Sequence, residues 1–376
     1  LTASVGFSVQ LFLFLLKLNL KTLESALFAF LVLMLPSFSI YHSWSATYEV
    51  PIALNLSFFA GLLIIKAIEN RKKRNQNYLI AFALVIISLC LYQSAVTILL
   101  IPFVFKSIIV RKAELKHIII LLVFLAFSFL TYFIIFKLSL YWFKIEPNRR
   151  TGINVLNFPY RIIKFYLKEL RMVIMGSGFL VFPILSLSLG LISVFGFFYT
   201  LFKKQIRKLE AQVLLGFLVL VLPLSYFPNL ISSDSFICSR TIAPTAIIVL
   251  FFQFMCIRQI AHNNKIIKGL SITVAILFIA LGSLNLNYYV TRIHNKEYIA
   301  LKKAFEKIPL DNKQDIVIVR PKNNFLQEYN FYKQESADEF GHISSSRIWV
   351  PEPLFKQILT ERFNSLKIKN SLNYNI

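Results

Sequence analysis

Leu89-Cys90-Leu91-Tyr92-Gln93-Ser94-Ala95-Val96-Thr97 divides two long apolar runs, with Tyr92, Gln93 and Ser94 as the only polar turn between them. In a bilayer every polar group needs a partner or a wet surface, so such a cluster marks a membrane face or a lined cavity. A tight interfacial hairpin fits the stretch, because tyrosine collects at membrane surfaces. A cavity floor fits it as well.

Composition decides the broad class. The chain has 376 residues, 57% of them hydrophobic, with 38 Phe, 16 Tyr and 16% charged residues, which is far more apolar than a soluble domain. The expected fold class is an all-α polytopic membrane protein. The formal net charge of +23 does not imply a nucleic-acid partner, since the cations sit in short clusters between apolar runs and no basic soluble domain carries them. The positive-inside bias and anionic lipid head groups account for most of it, which makes the bilayer the partner. Cys90, Cys238 and Cys256 lie far apart without metal-ligand spacing, so neither a zinc site nor a disulfide framework is supported.

The apolar runs predict about ten spans, at 1–16, 22–40, 51–66, 78–92, 95–110, 117–137, 179–202, 211–227, 241–257 and 268–290. The first begins at Leu1 and stops at Lys17, barely enough for a hydrocarbon core of about 20 helical residues. It has neither the basic stretch nor the cleavage site of a signal peptide, so the expectation is that further residues precede Leu1. Connections after spans one, three, five, seven and nine hold 18 cations, from Lys17 to Lys268, while the short connections on the other side hold only Arg240. The basic loops then face the cytoplasm. The Tyr92-Gln93 turn, the loop from His42 to Val50, the loop from Pro228 to Arg240 and everything after span ten face outward.

Between spans six and seven lies an external stretch of roughly 40 residues that is itself basic, and long loops translocate regardless of charge. After Asn157-Phe158-Pro159 the pattern turns helical. Arg161, Lys164, Lys168 and Arg171 fall on one face and Ile163, Leu167, Leu170 and Ile174 on another, predicting an amphipathic helix near 159–175 in the outer interface. It is either a plain surface anchor or, with Arg149 and Arg150 nearby, a guide for an anionic lipid head group, since guanidinium groups clamp phosphate oxygens.

Residues 291–376 carry ten of the 18 acidic residues and predict a small external α/β domain after the membrane domain of 1–290. Helices are expected at 296–308 and 353–363 and strands at 315–320 and 346–350. No glycine-rich loop, nucleophile elbow or zinc motif appears there, so a packing lid is the simplest role.

The membrane region holds eight carboxylates, four toward the cytoplasm and Glu49, Glu146, Glu169 and Asp234 toward the outside. None lies mid-span, which argues against ion-coupled transport, and no Walker sequence supports an ATP-driven pump. In the loop from Ser39 to Glu49, Tyr41, Trp44 and Tyr48 can stack on pyranose rings while His42 and Glu49 bond hydroxyls. The same residues suit an aromatic interfacial belt. Asp234 and Arg240, before span nine, suit an anionic donor and a hydroxyl acceptor, or a loop salt bridge of about 0 to 1 kcal/mol.

The Tyr92-Gln93 turn after span four, the Ser239-Arg240-Thr241 start of span nine and the soluble external tail together resemble the bacterial GtrII-like glucosyl transferases. That resemblance implies a GT-C-like architecture in the bacterial plasma membrane with the C-terminal domain outside. It implies transfer of a sugar, glucose in that family, from a polyprenyl-phosphate-linked donor to a cell-surface polysaccharide during O-antigen modification. Such enzymes place an acidic catalytic pair in the first external loop, and no Asp-Asp or Asp-Glu pair precedes Glu49. Glu49 and Asp234 are therefore the expected catalytic substitutes. Tyr41, His42, Trp44, Tyr48, Tyr92, Gln93, Arg149, Arg150 and Arg240 are the expected substrate-binding residues. No cofactor is indicated, and one or two carboxylates do not define a divalent-metal site. Inversion and retention at the anomeric carbon both stay open. A flippase or transporter of lipid-linked sugars would share these loops, and an O-antigen polymerase would differ only in its acceptor.

Overall fold

The computed structural model describes residues 2–43, 47–110, 112–145, 152–154, 156–175, 183–202, 208–233, 238, 240–260, 291–306 and 351–365, with isolated positions between 269 and 287. Among them the chain is helical, with no strand beyond a single bridge, as an all-α membrane protein requires. Four helical stretches are long and apolar enough to cross a bilayer: Glu49–Glu69, Arg71–Leu91, Gln93–Val110 and Leu115–Phe143. They coincide with the third to sixth expected spans. The tenth lies largely outside the described residues, and the expected strands at 315–320 and 346–350 wholly so.

The chain divides into two compact units, Leu1–Gly282 and Ser283–Ile376. In the first, α1 (Thr2–Lys17) is followed by α2 (Thr22–Leu33) and α3 (Pro36–Ser43). Hydropathy alone runs α2 and α3 together as the expected span 22–40. Pro36 separates them, because its ring excludes the preceding residue from helical backbone and it has no N–H to donate. Next come α4 (Glu49–Glu69), α5 (Arg74–Leu91), a 3₁₀ segment (Gln93–Leu100), α6 (Ile101–Val110) and α7 (Leu115–Phe143). Pro102 explains the 3₁₀ segment. It cannot bond the Ile98 carbonyl, which the Ile101 N–H takes up instead in the tighter pattern. With 29 residues, α7 is about 43 Å long, more than the roughly 30 Å of hydrocarbon. Its exposed last residues Tyr141, Trp142 and Phe143 form an aromatic belt, and Lys144 ends it in left-handed backbone at φ 52°.

Beyond α7 come α8 (Phe158–Lys164), a π turn (Phe165–Glu169), α9 (Leu170–Met175), α10 (Pro183–Phe202), α11 (Lys208–Leu224), α12 (Phe227–Ile231) and α13 (Ala243–Ile260). Lipid is as apolar as leucine, so close packing and polar bonds rather than apolar burial hold such helices together. Phe105 stacks on Phe251 at 3.7 Å, with Phe28 edge-on to both, which joins α2, α6 and α13. Glu24, almost fully buried at the start of α2, accepts from Arg258 at the end of α13 (3.0 Å). Ser57 and Ser88 lie 2.6 Å apart between α4 and α5, and Ser88 also donates to the Ala53 carbonyl.

Gly61 lets α4 touch the 3₁₀ segment, since a Cβ there would stand 2.6 Å from the Leu99 carbonyl oxygen. Gly61→Ala is therefore expected to cost about 1 to 3 kcal/mol by overpacking. Thermal unfolding in detergent checks this against Gly216→Ala, where nothing lies within 4 Å and no loss is expected.

In the second unit, α14 (Arg292–Glu306) and α15 (Pro351–Ser365) pack through Phe305 and Phe355, with ring centroids 4.7 Å apart, and Tyr298 bonds the Glu361 carboxylate.

Candidate functional site

The polar turn at 92–97 is the hub of a cluster at one end of the first unit. Tyr92 leaves α5 in extended backbone (φ −157°), with its N–H bonded to the Ser88 carbonyl at 2.8 Å. Gln93 then starts the 3₁₀ segment, and its amide donates to the Tyr132 hydroxyl of α7 at 2.6 Å. Ser94 and Thr97 turn inward and are buried. The Thr97 hydroxyl reaches the Ser225 carbonyl (2.8 Å) and the Ser94 carbonyl (3.0 Å), and Asn229 donates to the Ser94 hydroxyl at 3.3 Å. Ser225 and Thr245 hydroxyls lie 2.7 Å apart. These are hydroxyls and amides that bond one another and backbone carbonyls, rather than charges.

The helical stretch at 158–175 packs on α11 and α12 next to this cluster. Pro223 cannot bond the Val219 carbonyl within α11, and the Tyr166 hydroxyl takes that bond at 2.6 Å. Arg161, 8% exposed, donates one terminal nitrogen to the Leu230 and Ser232 carbonyls and the other to the Ser233 carbonyl, the outer two at 3.0 Å. The same segment pairs with 152–154, through Asn154 N–H to Ile231 (2.9 Å) and Ser233 N–H to Gly152 (2.7 Å). Helical periodicity puts Arg161 on a basic face and Ile163 and Leu167 on the apolar face of a helix lying in the interface. Ile163 and Leu167 are more than half exposed, while Arg161, Phe165 and Glu169 are buried. Backbone carbonyls left without a regular ladder need donors, and the forked guanidinium supplies several at once.

Glu169 is the most unusual group. It is only 3% exposed, Lys164 Nζ stands 3.6 Å from one carboxylate oxygen, and Oε2 has no hydrogen-bond partner. Burial pushes its carboxyl above the usual range, against the pull of Lys164 and Lys168. It ends the π turn, a feature frequent at functional sites. One turn back, Phe165 stacks on Tyr226 at 5.6 Å, and the Tyr226 phenol lies in the field of Glu169 and bonds the Thr241 side chain.

Of the expected site residues, Tyr92 and Gln93 are central to this cluster. Tyr41 is buried, its ring edge-on to Phe38 at 5.5 Å and its hydroxyl bonded to the Arg240 carbonyl at 2.8 Å. The structure thus joins Tyr41 to Arg240 but does not offer the Tyr41 ring to a ligand. Tyr48 is 73% exposed just ahead of Glu49, which opens α4, where a carboxylate also favours the helix dipole. His42 belongs to α3, with its side chain outside the described set, and Trp44, Arg149, Arg150 and Asp234 lie outside the described residues. Among the described residues no three His, Cys, Asp or Glu side chains converge as metal ligands.

No family model, curated protein or solved structure matches the chain. The site therefore rests on its own geometry. Sequence reasoning missed Tyr226 and Asn229, and it counted Glu169 among the outward carboxylates without a catalytic role. For Glu169 a signal existed, since it is the one acid in a helical stretch carrying Arg161, Lys164, Lys168 and Arg171.

Proposed function

We propose that the chain is a membrane glycosyltransferase that moves a sugar, glucose by its family resemblance, from a polyprenyl-phosphate-linked donor to a cell-surface polysaccharide at the outer face of the plasma membrane. The observation that carries this reading is Glu169, a buried carboxylate with one unshared oxygen, set among cations and beside a cluster of hydroxyls and amides. Perturbed, buried carboxylates cluster at sites of proton transfer.

In this reading the acceptor hydroxyl meets Glu169 at its unshared oxygen. Its oxygen bonds to the anomeric carbon as its proton passes to Glu169 Oε2. The bond from that carbon to the phosphate oxygen breaks, and the phosphate leaves with the electron pair. Lys164, Lys168 and Arg171 on the external helix, with Arg149, Arg150 and Arg240, balance the charge that develops there. Tyr92, Gln93 and Asn229 orient the sugar hydroxyls, and Glu49 and Asp234 remain alternative proton acceptors to be compared with Glu169.

Membranes carrying the full chain and a radiolabelled polyprenyl-phosphate sugar test the choice of base. Glu169→Gln is expected to abolish labelling of polysaccharide while Glu49→Gln and Asp234→Asn retain it. Full activity of Glu169→Gln would remove this base from the reaction.

A further inference from the structure

An exposed apolar stripe runs along the helical stretch at 158–175. Tyr160, Ile163 and Leu167 recur at three- and four-residue spacing on one face and are 67%, 58% and 70% exposed. Leu156, just ahead of α8, continues the line and is almost wholly exposed. Arg161, Phe165 and Glu169 are buried, so the segment holds to the first unit through them and turns the stripe away from it. The stripe is not the face that periodicity alone outlines. Leu170 is buried, and the exposed line reaches back to Leu156 and Tyr160 instead.

One aromatic contact sets the level of this segment against the spanning helices. The Phe227 ring lies 6.2 Å from Phe158 of α8 and 5.3 Å from Phe129 of α7. Phe129 stands about 21 Å along α7 from Leu115, whereas Trp142 in the aromatic belt stands about 40 Å along. Counted from Leu115, the segment therefore starts within the roughly 30 Å of hydrocarbon and below the belt. Phe127, Leu130 and Ile134 of α7 flank that level and are half exposed or more, so the medium that meets them reaches the stripe as well.

Water is a poor neighbour for four large apolar side chains in line, which aqueous surfaces rarely leave uncovered. A protein partner fits poorly too, since a stable interface takes roughly 20 residues a side. Lipid acyl chains suit both the chemistry and the level. Lys168 and Arg171, exposed on the same stretch, have apolar stems long enough to carry their charges up to the head groups.

We propose that Leu156, Tyr160, Ile163 and Leu167 lie in the acyl region of the bilayer just beneath the head groups, at the end of the spans where the Tyr92-Gln93 turn stands. The segment then separates lipid from the first unit and keeps Glu169 on its protein side. This holds whether or not the chain transfers a sugar.

The unaltered full chain in lipid nanodiscs tests this when it is labelled in parallel by a lipid-soluble diazirine, which yields a carbene within the bilayer, and by hydroxyl radicals generated in water. Mass spectrometry then assigns each label to its residue. Ile163 and Leu167 are expected to take carbene at yields matching Leu130 and Ile134 of α7. Tyr160, an easily oxidised ring, is expected to lose most of the oxidation it shows in the unfolded chain. Oxidation of Tyr160 equal to that of the unfolded chain would put the stripe in water, and absence of both labels would mean that a protein surface covers it. Either result overturns the proposal.

Discussion

Glu169→Gln is expected to lower sugar transfer by about 10²- to 10⁴-fold, the usual contribution of a positioned base, while raising the unfolding temperature at pH values where the wild-type carboxyl is ionised. The two effects share one cause. Burial raises the folded carboxyl above its ordinary 4.5, so between 4.5 and the raised value the folded chain binds a proton that the unfolded chain has released. The stability contributed by that protonation is complete below 4.5 and is lost as pH rises through the folded value. Above this window the wild type carries a desolvated charge, which glutamine removes, for a gain of about 1 kcal/mol. Transfer by the wild type follows the opposite course, rising with pH as Glu169 loses its proton. A carboxylate kept only for structure predicts loss of stability in the variant, and thermal unfolding in detergent at pH 5 and pH 8 separates the two outcomes.

Arg161→Met is expected to destabilise the first unit by about 3 kcal/mol, since each buried carbonyl left without a donor costs about 1 to 3 kcal/mol. Arg161 holds the carbonyls of Leu230, Ser232 and Ser233 from a buried position, and a thioether leaves all three without that donor. Transfer should fall as well, because the same bonds hold the helical stretch at 158–175 against Tyr226 and fix where Glu169 stands. Arg161→Lys should recover little of either loss, since an ammonium lacks the planar fork that reaches several carbonyls. Unfolding of Arg161→Met within about 0.5 kcal/mol of wild type would show that the loop is held by other contacts.

The class of the molecule was legible from composition and from the length of its apolar runs, because a bilayer imposes both. Prolines marked its irregularities less openly. Pro36 splits an expected span, Pro102 sets the 3₁₀ segment, and Pro223 frees a carbonyl that only a distant tyrosine satisfies. The Tyr92-Gln93 turn was visible as a polar interruption, but its partners were not. Thr97 meets Ser225 across 128 residues and Ser94 meets Asn229 across 135, and no local pattern encodes such pairing. The helical stretch at 158–175 was readable as amphipathic, yet the burial of Arg161 and Glu169 was not. Helical periodicity sorts residues by polarity, whereas the carbonyls at 230–233 and the π turn at 165–169 draw Arg161 and Glu169 inward.

The most direct measurement uses the purified full chain in proteoliposomes with a radiolabelled polyprenyl-phosphate sugar and a polysaccharide acceptor. Label is expected to enter the polysaccharide as free polyprenyl phosphate appears in equal amount, and both are expected to disappear in Glu169→Gln. Label that crosses the bilayer still attached to its lipid, with no polyprenyl phosphate released, would contradict glycosyl transfer and make the chain a carrier.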